Sequence, residues 1–200
     1  MKKVLHVISS PRGEASVSIK LGNAIIEKIK ETYPGSIVKE RNLIKNLFPH
    51  LEQAQISSFF TPAESLSPEQ QVAIKISDEA IAELQEADII VIGAPMYSFT
   101  IPSTLNAYFD HIARPGVTFR YTENGPEGFL KNKKVYIATS SGGVYSEGPM
   151  QAYDFVVPYA QKFLAFIGIT DVTVIRVEGL NVPQLKDTAL ENGLKSIAIA

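Results

Sequence analysis

An α/β fold, doubly wound about a mostly parallel five-stranded sheet in the order 2-1-3-4-5, is predicted by three features of the chain. Short apolar runs recur at 4–8, 37–43, 88–93, 134–140 and 171–177. The stretches between most of them carry apolar residues at spacings of three and four, the mark of helices with one buried face. Strands alternating with helices make right-handed βαβ crossovers and a parallel sheet with helices on both faces. The third feature selects the strand order. Residues after the first, third and fourth runs carry binding chemistry, and ligands in such sheets sit at the carboxyl ends of strands, beside the point where the winding reverses. Five runs also suit this order better than the dinucleotide arrangement, which usually has six.

The elements follow in turn. The run at 4–8 comes after two lysines and stops at Ser9. A signal peptide needs about 7–15 apolar residues after its charges, so this run is a strand. Ile19, Leu21, Ala24, Ile25 and Ile29 then form a helical stripe. The second run, 37–43, is weaker and more alternating, and residues 46–66 form a long insertion. Ser67-Pro68-Glu69-Gln70 is a helix start, with a serine cap and proline at the first helical position. Its stripe is Val72, Ile76, Ala80, Ile81 and Leu84. The third run is the most apolar; Pro95 ends it, and Met96, Tyr97, Ser98 and Phe99 follow. Leu105, Tyr108, Phe109 and Ile112 mark the next helix. Alternation over 117–121 and dense turn chemistry over 123–128 predict a small hairpin near 117–130. After the fourth strand, Val156, Tyr159, Ala160, Phe163 and Ile167 mark another helix, and 185–199 a terminal one. No repeat or linker interrupts residues 1–200, which read as one domain.

Composition narrows the function. Nineteen Lys and Arg against 21 Asp and Glu leave a net charge of -2, which gives no electrostatic case for nucleic acid. Cysteine is absent, so disulfides, Cys-based zinc sites and thiol catalysis are excluded. No run approaches the ~20 apolar residues of a membrane span. The expected location is the cytoplasm. His6, His50 and His111 stand apart in the sequence, so no metal site is expected, and no G-x-S-x-G elbow marks a serine hydrolase.

Three loops carry the chemistry. After the first strand comes Ser9-Ser10-Pro11-Arg12-Gly13-Glu14-Ala15-Ser16-Val17-Ser18, leading into a helix. Helix N-termini offer unpaired N–H groups and partial positive charge, and serine hydroxyls add donors. With no G-x-G-x-x-G and no P-loop present, the loop suits a terminal phosphate monoester. Ser16 or Ser18 could equally serve as no more than the helix cap. After the third strand, Met96, Tyr97, Ser98 and Phe99 offer aromatic and thioether surface. After the fourth, Ser140, Ser141, Gly142 and Gly143 let backbone N–H groups approach a flat ligand. Phosphate donors, an apolar shelf and exposed amides together are what a flavin mononucleotide needs. An electron-carrier flavodoxin is the rival, but such carriers tend to be strongly acidic. A receiver-type domain would need acids where the serines stand.

Residues 94–128, with 9–18 and 139–143 in matching order, closely resemble the FMN-dependent NADH-azoreductase family, and the similarity runs essentially end to end. These are flavodoxin-like homodimers also active as NADH:quinone reductases. The resemblance implies one non-covalent FMN per subunit, held by Ser10, Ser16, Val17 and Ser18 at the phosphate. It places Met96, Tyr97, Ser98 and Phe99 along the ring, with Ser140, Ser141, Gly142 and Gly143 at the pyrimidine side. It further implies NADH as reductant, a small aromatic azo compound or quinone as acceptor, and a ping-pong cycle in which the flavin, with no catalytic side chain, carries the chemistry. Tyr121 and Phe163 are implied as walls of a substrate pocket that a second subunit completes. Physiological quinone reduction with incidental azo activity is the close alternative. Two positions depart from the family: Ser98 stands where many relatives have Asn, and Ser141 where some have Arg.

Overall fold

A computed structural model describes residues 1–199. Strands β1 (Lys3–Ile8), β2 (Ile37–Asn42) and β3 (Ile89–Pro95) are followed by a hairpin, β4 (Phe119–Thr122) and β5 (Gly125–Gly128), and then by β6 (Lys134–Ser140) and β7 (Asp171–Val177). The main sheet is parallel in the order β2-β1-β3-β6-β7. With the hairpin set apart, this is the predicted 2-1-3-4-5. Every residue of β3 is buried, as a central strand requires, whereas β2 on the edge is mostly open. That difference explains why the second run was the faintest in the sequence.

Helices are α1 (Val17–Thr32), α2 (Gln53–Phe59), α3 (Pro68–Glu86), α4 (Ser103–Ile112), α5 (Val157–Phe166) and α6 (Ala189–Lys195). They cover both faces of the sheet. Leu84, Leu105, Phe109, Ile112 and Leu164 of α3, α4 and α5 pack with Leu5, Ile90, Ile92 and Ile137 in one core. Leu21, Ile25 and Ile29 of α1 pack with Val4, Ile89, Val91 and Ala138 in the other. Neighbouring strand residues thus point into opposite cores, as the pleat dictates. Full burial of each large aliphatic side chain contributes about 1.5–3 kcal/mol.

Three expectations change and one is met: β3 ends at Pro95, as expected, two residues past the apolar run. The Met96 N–H donates to the Ser140 carbonyl on the β6 side, so the N–H that Pro95 lacks faces β1, whose pairing has already ended at Gly93. Val72 lies 76% exposed; the buried stripe of α3 starts at Ile74 and includes Ser77. The 46–66 insertion holds α2, started by a capping box in which Glu52 and Gln55 exchange side chain and backbone bonds. The terminal helix covers only Ala189–Lys195 of the expected 185–199. The Ser67 cap of α3 is present, with Gln70 completing its box.

The predicted hairpin is antiparallel, with Tyr121 opposite Pro126. It attaches to the body where two glycines meet: a Cβ on Gly128 would stand 2.0 Å from the backbone nitrogen of Gly168. The Leu130 N–H donates to the Ile167 carbonyl beside them.

Candidate functional site

The first loop leaves β1 with its serines already differentiated. The Ser9 hydroxyl donates to the Gly93 carbonyl at 2.6 Å, and the Thr104 hydroxyl donates to the Ser9 carbonyl. Ser9 therefore ties β1 to β3 and has no hydroxyl to spare. Ser10 is buried, and its Oγ accepts a long 3.4 Å bond from the Arg12 N–H. A short turn over Gly13–Ala15 delivers the chain to Ser16. Ser16 caps α1 by accepting from the Ile19 N–H at 3.4 Å, and its Oγ lies 3.1 Å from Ser18 Oγ. The N–H groups of Val17 and Ser18 have no intrahelical acceptor, and the positive end of α1 lies with them. The cap that the sequence left open as an alternative is thus present, but it occupies Ser16 only weakly.

After β3 the chain makes a tight reversal. Tyr97 and Thr100 exchange two backbone hydrogen bonds, of 2.9 and 3.0 Å. Between them Ser98 has φ +48° and Phe99 φ +71°. Two consecutive positive φ values make a type I′ turn, which normally uses Asn-Gly. A serine and a phenylalanine there store strain of order 1–3 kcal/mol each. Neighbours hold the turn shut: the Phe155 N–H donates to the Phe99 carbonyl, and the Phe99 ring lies against Tyr153 and Tyr145, with centroids 5.5 and 6.3 Å away. The central N–H groups of Ser98 and Phe99 find no acceptor within the described residues.

After β6 the backbone is stitched to the segment following β7. The carbonyls of Ser141, Gly142 and Gly143 accept from the N–H groups of Leu180, Asn181 and Gly179. The Ser141 N–H donates to the Val177 carbonyl, and the Ser141 hydroxyl to the Gly143 carbonyl. With these carbonyls fixed, the N–H groups of Gly142 and Gly143 are left without acceptors among the described residues. Gly142 lies close to a neighbouring side chain: a Cβ there would stand 2.5 Å from Asn181 Nδ2, and the Asn181 amide would have to move.

These loops enclose two adjoining hollows. The first, of about 210 Å³, is walled by Ser10, Ser16, Val17, Met96, Tyr97, Ser140, Ser141 and Gly142. The second, of about 440 Å³, adds Ser98, Phe99 and Gly143 and shares Met96, Gly142 and Asn181 with the first. Free N–H donors and hydroxyls at one end, and an apolar shelf with glycine amides at the other, fit a phosphate monoester joined to a flat heteroaromatic ring. Of the predicted residues, Ser18 stays fully buried behind Ser16 and lines neither hollow. Tyr121 stands 74% exposed on the hairpin, and Phe163 stacks on Phe109 at 4.1 Å; neither reaches the cleft of its own chain. The sequence reading missed Tyr145, Leu180, Asn181 and Val182. Applying the strand-end rule to the fifth strand as well would have found the last three.

A larger cavity of about 690 Å³ lies on another side of Tyr97 and Ser98, between Ile44, Pro102, Ala107, His50 and Asp110. Burial raises the Asp110 carboxyl above the usual carboxylate range, and the Asn106 amide donates to it. Among the described residues no three His, Cys, Asp or Glu side chains group closely enough to hold a metal ion.

Comparison with known proteins agrees with this geometry. A family described as flavodoxin-like fold matches residues 2–198. The chain is 46% identical over 201 residues to a Burkholderia lata protein named FMN-dependent NADH:quinone oxidoreductase 6, covering 100% of both. It superimposes on an azoreductase from Bacillus anthracis strain Sterne with a TM-score of 0.88 at 35% identity, covering 98% of this chain and 96% of that one. An FMN-dependent NADH-azoreductase from Bacillus anthracis strain Ames Ancestor, solved in complex with FMN, gives a TM-score of 0.87 at 28% identity over 98% and 95% of the two chains.

Proposed function

We propose, from the premise that the chain belongs to the flavodoxin-like fold family, that it is an FMN-dependent oxidoreductase that takes electrons from NADH and reduces quinones and azo compounds. The observation that carries this is the meeting of three loops that each present N–H donors with no partner among the described residues. FMN, when bound, supplies a two-electron redox centre. The chain's own residues bind and tune it. Ser10, Ser16 and the first N–H groups of α1 hold the phosphate. Met96 and the Tyr97–Thr100 turn form the shelf for the ring. The Gly142 and Gly143 N–H groups would hold its polar edge and offer donors to negative charge there. No acid side chain lines either hollow, so solvent supplies the protons that the reduced product needs.

The purified protein should be yellow, release FMN on denaturation, and give parallel-line kinetics with NADH and a quinone. Colourless protein that gains no turnover from added FMN would overturn the reading. One pocket serves both acceptor classes, and paired kcat/KM measurements with azo dyes, benzoquinones and naphthoquinones rank them.

The working form is a homodimer in the cytoplasm. Tyr121, with the exposed Tyr153 and Phe155, presents aromatic surface that a lone chain leaves wet, and interfaces favour such residues. Tyr121 and Phe163 then wall the partner's acceptor pocket. Light scattering should give twice the chain mass of 21.9 kDa; the monomer mass would refute it. No described helix is long and apolar enough to cross a membrane.

A further inference from the structure

Arg176, on β7, lies at the base of the loop between Tyr145 and Val157. Its Nη1 donates to Glu178 Oε1 at 3.2 Å, and its Nη2 to Asp154 Oδ2 at 2.7 Å. Each carboxylate also holds backbone. Glu178 Oε1 accepts from the Tyr145 N–H at 2.9 Å. Asp154 Oδ1 accepts from the N–H groups of Val156 and Val157, at 3.0 and 3.1 Å, which starts α5. One guanidinium therefore ties the two ends of the loop together. The side chains of Arg176, Asp154 and Glu178 are 23%, 4% and 12% exposed, so solvent screens them little. Between the tied ends, Tyr145 and Tyr153 flank the Phe99 ring, and the Phe155 N–H grips the Phe99 carbonyl.

We infer that Arg176 is a positioning residue: through Glu178 and Asp154 it fixes the 145–155 loop, and the loop holds the strained Ser98–Phe99 turn at the edge where the acceptor enters. The link to the acceptor rests on the flavin reading above; the clamp itself does not. Without the guanidinium, two mostly buried carboxylates face one another unpaired, which is the costly way to break such a network. The loop then loosens and the turn loses its brace, while the phosphate loop, on another element, is untouched.

The test uses Arg176→Met, with Glu178→Gln as a milder second variant that keeps an acceptor for the Tyr145 N–H. In flavin-free protein, amide exchange at Tyr145, Val156 and Val157 should accelerate about tenfold or more in Arg176→Met, with little change in α1. In the FMN-loaded enzyme, KM for a quinone should rise about tenfold while kcat stays within about threefold. FMN affinity should fall less than KM rises. Arg176→Lys, which can reach only one carboxylate well, should recover part of the loss. A lower melting temperature with loop exchange and KM unchanged would assign Arg176 a merely structural role and overturn the inference. Colourless, inactive wild type would instead sink the flavin reading, and the exchange arm would still decide the clamp.

Discussion

Ser98 and Phe99 occupy the left-handed region that side chains with a Cβ avoid. Ser98→Gly should therefore stabilise the flavin-free protein by about 0.5–1 kcal/mol in urea unfolding. Ser98→Val, β-branched at the same φ, should destabilise it by more than about 1 kcal/mol. Asn tolerates this region better than Ser, so Ser98→Asn would ease the backbone as well as change the contact. At the phosphate end, Ser16→Ala should weaken FMN binding by about 1–2 kcal/mol in a fluorescence titration. Ser18→Ala should cost less, because Ser18 acts only through Ser16 Oγ and its own N–H remains. Most residues that line the two hollows were legible because they follow strands in parallel order. The turn was not: Tyr-Ser-Phe-Thr carries none of the Asn or Gly that announces type I′, and only the contacts from Phe155, Tyr153 and Tyr145 make it hold. Asn181 went unread for a different reason: it follows the fifth strand, whose carboxyl end the reading did not follow.

At the scale of elements, strands and long helices were readable because their apolar periods match the faces they bury. Misreadings fell where packing decides. Val72 fits the period of α3 yet has nothing above it, and α2 begins with a glutamate cap where serine or threonine is the usual signal. Helix α3 should lose about 1 kcal/mol on Ser67→Ala, seen as a lower denaturant midpoint, because the N-cap bond to Gln70 is lost. The hairpin is more vulnerable. Gly128 and Gly168 leave no room for a methyl group, and what a Cβ would strike is backbone. Gly128→Ala should destabilise the protein by about 2 kcal/mol or more, and protection at the Leu130 N–H should fall with it. If the melting temperature is unchanged, the contact between the glycines is looser than described.

For the whole molecule, acid stability follows from two buried imidazoles. His6, on β1, is pushed below its ordinary 6.5 mainly by burial, against the weaker pull of Glu40, and its Nε2 has no partner among the described residues. His111 is lowered by burial too, opposed by its bond to the Pro49 carbonyl and by Asp110. As pH drops through 6.5 the unfolded chain takes up protons before the folded one does. Stability is thus complete above 6.5 and declines below it, until the folded imidazoles also titrate. The urea midpoint should be lower at pH 5.5 than at 7.5, and His6→Leu should reduce that difference; equal midpoints would contradict it. The overall topology was legible because a parallel sheet leaves few alternatives once five strands are found. Which aromatics stay exposed was not, since periodicity alone does not show what packs over them. The same topology has a practical corollary. All five main strands run one way, so every ligand loop opens on a single side and the opposite side carries none of the chemistry. The chain has no cysteine, and Glu86 lies exposed at the far side, just before β3. A cysteine placed there would be the only thiol, and a gold electrode bonded to it would hold each molecule with its redox cleft facing the electrolyte.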